Sequence, residues 1–303
     1  MNPRLASAPV TWGVWERTID RPDLIPPQRM LETVRELGYS GLELGPPGYF
    51  GADGAAVGAA LAPYELELVG GFAPLHLADG DAYRADIPVW LDPVIDVLVE
   101  TGMRGPVVLA DAETDERIAA AGQPGEQVRT ALSPDAFARA LERVNEAVER
   151  CTARGVDVVF HHHAATYVET ADEVERFLAG TDVGICFDTG HALVGGADPL
   201  DIVRLCGPRI EHLHLKDVDG ELLGRVRRGE LGLEQAWDDG LFCGFGEGEV
   251  DFAAVLAAPE LADFDGWTVL EQDRVAVRVD DLDAVRAVEG ANLGVVRAAW
   301  ARR

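Results

Sequence analysis

The chain has 303 residues, of which 48% are hydrophobic and 26% charged, and this is enough to bury a large core in one α/β barrel or in two smaller domains. Its formal net charge of −27 at pH 7 argues against a nucleic-acid partner, because phosphate contacts need a positive face. The chain shows no apolar run of about 18 residues and no signal-like start, so we expect no membrane contact, a cytoplasmic location and a small-molecule substrate, and we leave a homo-oligomer open.

Short β-rich runs alternate with helical patterns along the whole chain, and no Ser/Gly-rich linker divides it. The predicted strands are residues 5–12, 40–45, 66–72, 105–110, 156–163, 183–190, 210–217 and 266–273. The predicted helices include residues 26–38, 133–155 and 170–180, the last two opening on the capping residues Ser133 and Thr170. Eight strands that alternate with helices predict a parallel sheet, and hence an α/β fold in which residues 1–303 form a single (β/α)8 TIM barrel domain. A doubly wound open sheet is the alternative.

Two segments depart from this alternation. Residues 111–131 are predicted to form a polar loop with an acidic start. Residues 219–249 lengthen the connection after the seventh predicted strand, where barrel enzymes often place segments that cover the substrate. We therefore predict that residues 219–249 form a long loop and a candidate lid.

The carboxyl ends of the predicted strands are rich in metal-binding side chains, and the active sites of barrels lie at this end. Side chains alternate along a strand, so His161 and His163 share one face of the fifth strand while His162 points away. Four successive strands end near His161, Asp188, His214 and Glu271. Two imidazoles and two carboxylates favour one divalent metal ion, Mn²⁺ or Co²⁺ first, with Zn²⁺ and Fe²⁺ also suited and Mg²⁺ less so. His163 is the rival of His161 for the ligand role, because it lies nearer the mouth of the barrel.

Lys216 is the only lysine among the 26 basic residues of the chain. An ammonium group can change its protonation state when it is buried, whereas a guanidinium cannot. Lys216 follows His212 and His214 at alternate positions, so the three side chains share one face of the seventh strand. We therefore predict a catalytic role for Lys216, with a pKa that a nearby metal ion would lower.

These motifs resemble those of the xylose isomerase-like barrel superfamily, and within it those of the inosose dehydratases, which remove water from 2-keto-myo-inositol in inositol catabolism. The resembling stretches are APVTWGVWE, LELGPPGYF, VVFHHHAATYVETADEVERFL, FDTGH, RIEHLHLKDV and GWTVLEQD, in this order along nearly the whole chain. The ending LEQDR on the eighth strand departs from the family pattern, because it lacks a second Glu and a Pro. The resemblance implies a divalent-metal-dependent dehydratase, a lyase acting on a keto-inositol or a related cyclic polyol ketone. The alternative is a metal-dependent ketose isomerase or epimerase of the same superfamily.

The resemblance also carries ligand roles onto Asp188, His214 and Glu271, and it places His191 next to the metal. At the fifth strand, His161 stands where the superfamily usually has a glutamate. The epimerases of the superfamily use metal-bound glutamates of the fifth and eighth strands on opposite faces of the substrate. Since only Glu271 is retained here, the pattern favours dehydration over epimerisation.

A dehydration needs a base for the C–H proton and an acid for the departing hydroxide. The candidate bases are His163, Lys216 and Glu271, and the candidate acids are Lys216 and His191. The candidate substrate-binding residues are Glu43, Trp12, Trp15 and Arg227 or its neighbour Arg228. Core packing is an equally good interpretation of the two tryptophans.

Overall fold

The computed structural model describes residues 3–275 and 277–302 of the chain. Its main sheet has nine strands in the order β3-β2-β1-β11-β8-β7-β6-β5-β4, each parallel to its neighbours, and a second sheet pairs β9 with β10 in antiparallel orientation. The strands are β1 (Arg4–Ser7), β2 (Gly41–Leu42), β3 (Glu67–Leu68), β4 (Gly71–Leu75), β5 (Val107–Asp111), β6 (Val158–His161), β7 (Gly184–Asp188), β8 (Ile210–Leu215), β9 (Asp217–Val218), β10 (Phe242–Cys243) and β11 (Trp267–Leu270).

The two ends of the main sheet meet on one stretch of chain, because only Val69 and Gly70 separate β3 from β4. β3 pairs with β2 and β4 pairs with β5, so together they occupy one of eight strand positions and close the barrel. The interruption between β3 and β4 lies where a side chain that directly follows β2 comes close to the backbone, since a Cβ on Gly70 would lie 2.9 Å from Oε1 of Glu43. The predicted single-domain (β/α)8 barrel is confirmed, and the doubly wound alternative is excluded.

Helices surround the barrel. The α-helices are α1 (Pro27–Leu37), α2 (Gly54–Leu61), α3 (Gly80–Asp86), α4 (Asp92–Thr101), α5 (Asp115–Ala120), α6 (Pro124–Thr130), α7 (Pro134–Thr152), α8 (Ala171–Gly180), α9 (Thr189–Val194), α10 (Pro199–Cys206), α11 (Gly220–Arg227), α12 (Leu233–Asp238), α13 (Phe252–Leu256) and α14 (Leu282–Trp300). Between α3 and α4 runs a π-helix, Ile87–Leu91. Helix α7 shows the common pattern, because Phe137, Ala140, Val144, Ala147 and Cys151 recur at helical spacing and are all buried. Within the described residues, no helix has both the length and the apolar character that crossing a bilayer requires.

The first strand is shorter than predicted. β1 ends at Ser7, and Pro9–Trp12 forms a 3-10 helix instead of continuing the strand to residue 12. Pro9 favours this change because proline has no N–H to donate to a sheet and fits the first turn of a helix. The turn sends Trp12 inward, where its indole is fully buried.

The segment 111–131 is not a loop, as predicted, but contains the helices α5 and α6. Arg117 of α5 is fully buried, and its guanidinium donates to Glu169 Oε2 at 2.9 Å and to Glu173 Oε2 at 3.0 Å. It also donates to the carbonyl of Gln127 at 3.0 Å. We call Arg117, Glu169 and Glu173 the Arg117 cluster; it ties the segment to the start of α8.

The segment 219–249 is also folded, into α11, α12 and β10. Asp217 holds the chain that follows β10, because its carboxylate accepts from the backbone N–H groups of Gly246, Gly248 and Val250 at 2.7 to 3.0 Å. A Cβ on Gly248 would lie 2.4 Å from the Asp217 carboxylate, so this approach requires glycine.

Candidate functional site

A cavity of about 440 Å³ lies at the carboxyl ends of the barrel strands. Its lining includes Glu43, His76, Asp111, His161, His214 and Glu271, which come from or directly follow six different strands. Aromatic rings complete the walls, namely Phe72, Trp15, Trp90 and Trp237. The cavity therefore combines ionisable groups with flat apolar faces, as sites for small cyclic molecules do.

The four residues predicted to bind a metal converge, and three of them, His161, His214 and Glu271, line this cavity. His161 Nε2 lies 3.2 Å from His214 Nδ1 and 3.6 Å from Asp188 Oδ2. His214 Nδ1 lies 3.0 Å from Glu271 Oε2 and 3.9 Å from Asp188 Oδ2. Parallel register explains this convergence, because Asp188 pairs directly with His214 and the neighbouring strands end at the same level. We call His161, Asp188, His214 and Glu271 the ligand cluster.

The hydrogen bonds of the two imidazoles indicate which nitrogens are free. His161 Nδ1 lies 2.6 Å from the carbonyl oxygen of His162 and must donate to it. His214 Nε2 lies 3.0 Å from Glu43 Oε1 and donates to that carboxylate in the same way. The facing atoms are His161 Nε2 and His214 Nδ1. Burial opposes the charged form of His214, but Cys186, Glu271 and Glu43 outweigh burial and raise the pKa of His214 well above its ordinary value. The site therefore favours a positive charge at this point, carried by a proton or by a metal ion.

The donor set of the ligand cluster fits a divalent metal ion. Nitrogen and oxygen ligands bind such ions at about 2.0–2.2 Å, which places neighbouring ligand atoms about 3–4 Å apart, as they are here. Two imidazoles and two carboxylates suit the transition metals better than Mg²⁺. Glu43 completes the arrangement, because it also accepts from His212 at 2.9 Å and so orients two rings at once.

Lys216 lies against the same carboxylates. Its ammonium donates to Asp188 Oδ2 at 2.8 Å and contacts Glu271 Oε2, and it lies 3.5 Å from Asp273 Oδ1. Burial alone would lower the pKa of Lys216, but the charges of Asp188, Asp273 and Glu271 outweigh it and raise the pKa well above its ordinary value. The chain's own charges therefore oppose the predicted lowering of the Lys216 pKa. Burial in turn raises the pKa of Asp273 to about 7.

His163 and His191 form a second pair of rings beside the ligand cluster, with centroids 3.8 Å apart. His163 lines the cavity, and its Nδ1 donates to the carbonyl of Ala164 at 2.8 Å. Burial, followed by the charges of His161 and Lys216, lowers the pKa of His163 to about 3, which favours a neutral ring. His191 is fully buried behind His163, and its two nitrogens make no hydrogen bond to any described residue. Of the two rivals for the metal, the structure brings His161 and not His163 among the converging ligand atoms.

The predicted substrate-binding residues divide into two groups. Glu43 and Trp15 line the cavity, whereas Trp12 and Arg227 do not. Trp12 is a core residue whose Nε1 donates to Ser7 Oγ at 3.0 Å, a position that follows from the early end of β1. Arg227 ends α11 and donates to the carbonyl of Leu193 at 2.8 Å, while Arg228 is exposed and pairs with Glu230.

A roof over the cavity joins three separate segments of the chain. Trp15 stacks on Trp237 with ring centroids 5.1 Å apart, and Trp237 Nε1 donates to the carbonyl of Asp273 at 2.7 Å. Arg17 also links separate segments of the chain, because it donates to Glu234 at 3.1 Å and to Glu113 at 3.3 Å. The segment 219–249 thus contributes Trp237 to the cavity wall, although the predicted arginines do not reach it.

Several cavity residues were not predicted as functional. Asp111 is buried at the end of β5, and its carboxylate accepts from the backbone N–H groups of Leu77 and Tyr167. His76 directly follows β4, and Asp273 lies two residues beyond Glu271. All three follow the rule that strand ends carry function, but the predicted strands 66–72 and 105–110 stop before His76 and Asp111.

The family model described as a xylose isomerase-like TIM barrel matches residues 31–289. The rhizopine catabolism protein MocC of Rhizobium meliloti is 33% identical over 282 residues, 90% of this chain and 82% of the relative. An inosose dehydratase of Geobacillus kaustophilus is 30% identical over 281 residues, 90% of this chain and 89% of the relative.

Solved structures share the fold at lower identity. The probable 3-DHS dehydratase AsbF of Bacillus anthracis superimposes with a TM-score of 0.68 at 16% identity, over 96% of this chain and 98% of that one. The IOLI protein with a bound zinc atom superimposes with a TM-score of 0.69 at 13% identity, over 97% of this chain and 98% of that one.

Proposed function

We propose that this chain, which belongs to the xylose isomerase-like TIM barrel family, is a divalent-metal-dependent dehydratase that removes water from a keto-inositol or a related cyclic polyol ketone. Relatives named inosose dehydratase support the reaction class, and the size and aromatic walls of the cavity suit a small ring.

The observation that carries the proposal is the unequal ligand cluster. On β6 the ligand is His161, whose Nδ1 is committed to the carbonyl of His162, so this side chain offers no carboxylate to move a proton. On β11 the ligand is Glu271, the single glutamate of the ligand cluster. A symmetric proton shuttle between two glutamates on opposite faces of a substrate is therefore unsupported, whereas an elimination needs no such symmetry.

The ligand cluster would hold the metal through His161, Asp188, His214 and Glu271. When bound there, a divalent ion such as Mn²⁺ or Co²⁺ would act as a Lewis acid toward the ketone oxygen of the substrate. Glu43 would fix the ring of His214 by accepting its Nε2 proton. The carboxylates of Asp188 and Glu271 would balance the charge of the centre.

His163 is the best-placed base for the carbon next to the ketone. Its Nδ1 is held by the Ala164 carbonyl, so the lone pair lies on Nε2, in a side chain that lines the cavity. Glu271 is less free, because its Oε2 already faces His214 and Lys216. Lys216, held as an ammonium between carboxylates, would stabilise the negative charge that develops on the substrate oxygen.

The stacked rings of Trp15 and Trp237 would cover the apolar face of the substrate ring and limit the entry of water. His191 would hold His163 in place from behind, since their rings are in contact. The alternative function, a metal-dependent ketose isomerase or epimerase, would use the same ligand cluster and is separated from dehydration by its product.

Mass spectrometry of the products tests the proposal directly. Purified protein is loaded with Mn²⁺ or Co²⁺ and incubated with 2-keto-myo-inositol and a panel of ketoses, with chelator-treated protein as the control. We expect a product that has lost one water, formed only by the metal-loaded protein. A product of unchanged mass and altered configuration would instead establish the epimerase alternative.

A further inference from the structure

His76 and Asp86 form an imidazole–carboxylate pair at the cavity, away from the ligand cluster. His76 Nδ1 lies 2.8 Å from Asp86 Oδ2, and the backbone N–H of His76 donates to the same oxygen at 2.7 Å. Asp86 is buried, whereas the His76 ring is 41% exposed and lines the cavity. Since Nδ1 is committed to Asp86, Nε2 is the ring atom left to face a bound molecule.

The backbone that carries this pair is irregular at the same place. Asp86 ends α3, and the next five residues, Ile87–Leu91, form the π-helix that leads into α4. Such π-helical turns are rare and frequently mark functional sites. This one directly follows Asp86, which holds His76, and it contains Trp90, which lines the cavity. The irregular turn thus connects the residue that holds His76 to a residue of the cavity wall.

The barrel topology places His76 across from the ligand cluster. Going around the closed sheet, the position of β3 and β4 lies four strand positions from that of β8 in either direction. His76 follows β4, while His214 and Lys216 lie at the end of β8. A ring held by its ketone oxygen near the ligand cluster would therefore turn its far edge toward His76.

We propose that His76 is the acid that protonates the departing hydroxyl group and that Asp86 is its positioning residue. This inference rests on the proposed function, because it assigns a proton donor to the same dehydration. The hydroxyl that leaves is on the second carbon from the ketone carbon, so its oxygen lies on a different part of the ring from the ketone oxygen that the ligand cluster would hold. A donor on the opposite wall matches this requirement better than Lys216 or His191.

The proton and electron balance of the step is complete. A base on the side of the ligand cluster takes the proton of the carbon next to the ketone, and the electrons of that C–H bond form the new carbon–carbon double bond. The C–O bond of the neighbouring carbon breaks, and its electron pair stays on the oxygen. That oxygen takes the Nε2 proton of the His76 imidazolium and leaves as water. His76 ends as a neutral ring that still donates from Nδ1 to Asp86. Asp86 fixes the tautomer and orientation of this ring, as the carboxylate of a catalytic triad does.

A leaving-group experiment tests this assignment. The wild type and the variants His76→Gln and Asp86→Asn are assayed in D2O with 2-keto-myo-inositol and with an analogue in which the departing hydroxyl is replaced by fluorine. Fluoride leaves without a proton, so its release needs no acid. Three rates are measured: loss of water, release of fluoride, and deuterium uptake next to the ketone in recovered substrate. Tyr83→Phe is the matched control, because Tyr83 lies on α3 with Asp86 and donates only to the carbonyl of Arg143 at 3.0 Å.

We expect His76→Gln to lose water about 10²–10⁴-fold more slowly than the wild type, while fluoride release and deuterium uptake stay within a few-fold. Asp86→Asn should show the same selectivity with a smaller loss, and Tyr83→Phe should match the wild type. Equal losses of all three rates in His76→Gln, or no loss at all, would overturn the role of His76 while leaving the dehydratase intact. If the wild type itself removes water from none of the substrates, the proposed function fails and this role fails with it.

Discussion

Two clusters of buried charge lie in this barrel, and they differ in where their free groups point. In the Arg117 cluster, one guanidinium lies between the carboxylates of Glu169 and Glu173, with both side chains buried. Burial raises the pKa of Glu169 to about 7, against the lowering effect of Arg117, which limits the negative charge enclosed there. None of the three residues lines the cavity.

The ligand cluster also buries charged groups, but three of its residues line the cavity. Its two carboxylates face one ammonium, and two imidazole nitrogens face each other at 3.2 Å at the edge of the cavity. Buried charge by itself therefore does not indicate a functional site. Potential ligand atoms that converge at the edge of a cavity are the stronger sign.

The largest effect is expected for Asp188→Asn, which removes a charged ligand. Asn keeps an oxygen that can accept from the backbone N–H groups of Gly190 and His191, as Asp188 Oδ1 does, so the start of α9 should survive. We expect metal affinity to fall by more than about 100-fold and dehydration to become undetectable. Elemental analysis after dialysis measures the metal, and circular dichroism measures the fold.

Asp251→Asn is the control for this variant, because Asp251 caps α13 through the same kind of bond, to the N–H of Ala254, away from the cavity. It should retain the metal content of the wild type. Full metal occupancy in Asp188→Asn would remove Asp188 from the ligand cluster.

Lys216→Met should separate metal binding from turnover. The substitution removes the ammonium that faces Asp188 and Glu271, so both carboxylates stay available and metal content should be unchanged. Turnover should fall by up to about 10⁴-fold, because the positive charge beside the substrate oxygen is lost. Steady-state kinetics at saturating metal measures the effect, and a fully active variant would show that the single lysine has no catalytic role.

Much of the ligand cluster could be predicted because it follows from rules that apply to each strand separately. Parallel strands end at one rim, and alternation along β6 separates His161 from His162, whose Nε2 accepts from the backbone N–H of Asp188 instead of facing the cavity. These two rules need only strand boundaries correct to within a residue or two. Where a boundary was misplaced, as at Trp12, the residue was wrongly expected at the substrate.

The parts that could not be predicted depend on contacts between distant positions of the chain. Glu43 reaches His214 across the barrel, 171 positions away in the chain, so nothing near Glu43 shows that its partners are imidazoles. The helices α5 and α6 have only six and seven residues, too few to form on their own propensity, and they depend on Arg117 and its partners at the start of α8. The polar composition of residues 111–131 therefore gives no sign that Arg117 lies in a buried ion pair.

Arg117→Met should affect stability and leave the metal untouched. Removing the guanidinium leaves Glu169 and Glu173 buried without their cation, and such a loss costs about 3–5 kcal/mol. Urea unfolding measures the change in the free energy of unfolding, and elemental analysis should find the metal content of the wild type. Adding Glu169→Gln should recover part of the stability, because it removes one of the two buried carboxyl groups that lose their partner. Loss of metal in a folded Arg117→Met protein would show that the metal site depends on the Arg117 cluster, contrary to this expectation.

The smallest effect is expected for Glu43→Gln, and it decides between two roles for Glu43. As the acceptor for His212 and His214, the carboxylate fixes the ring whose other nitrogen faces Glu271, so its loss should weaken metal affinity by about 10–100-fold. Metal titration monitored by calorimetry measures this shift. Glu289→Gln is the matched control, because Glu289 is equally buried but bonds to Tyr39 and Arg274; it should change stability without changing metal affinity. If Glu43→Gln instead binds metal as the wild type does and only its KM rises, Glu43 contacts the substrate, and the ring of His214 is held in place by the packing of β8 alone.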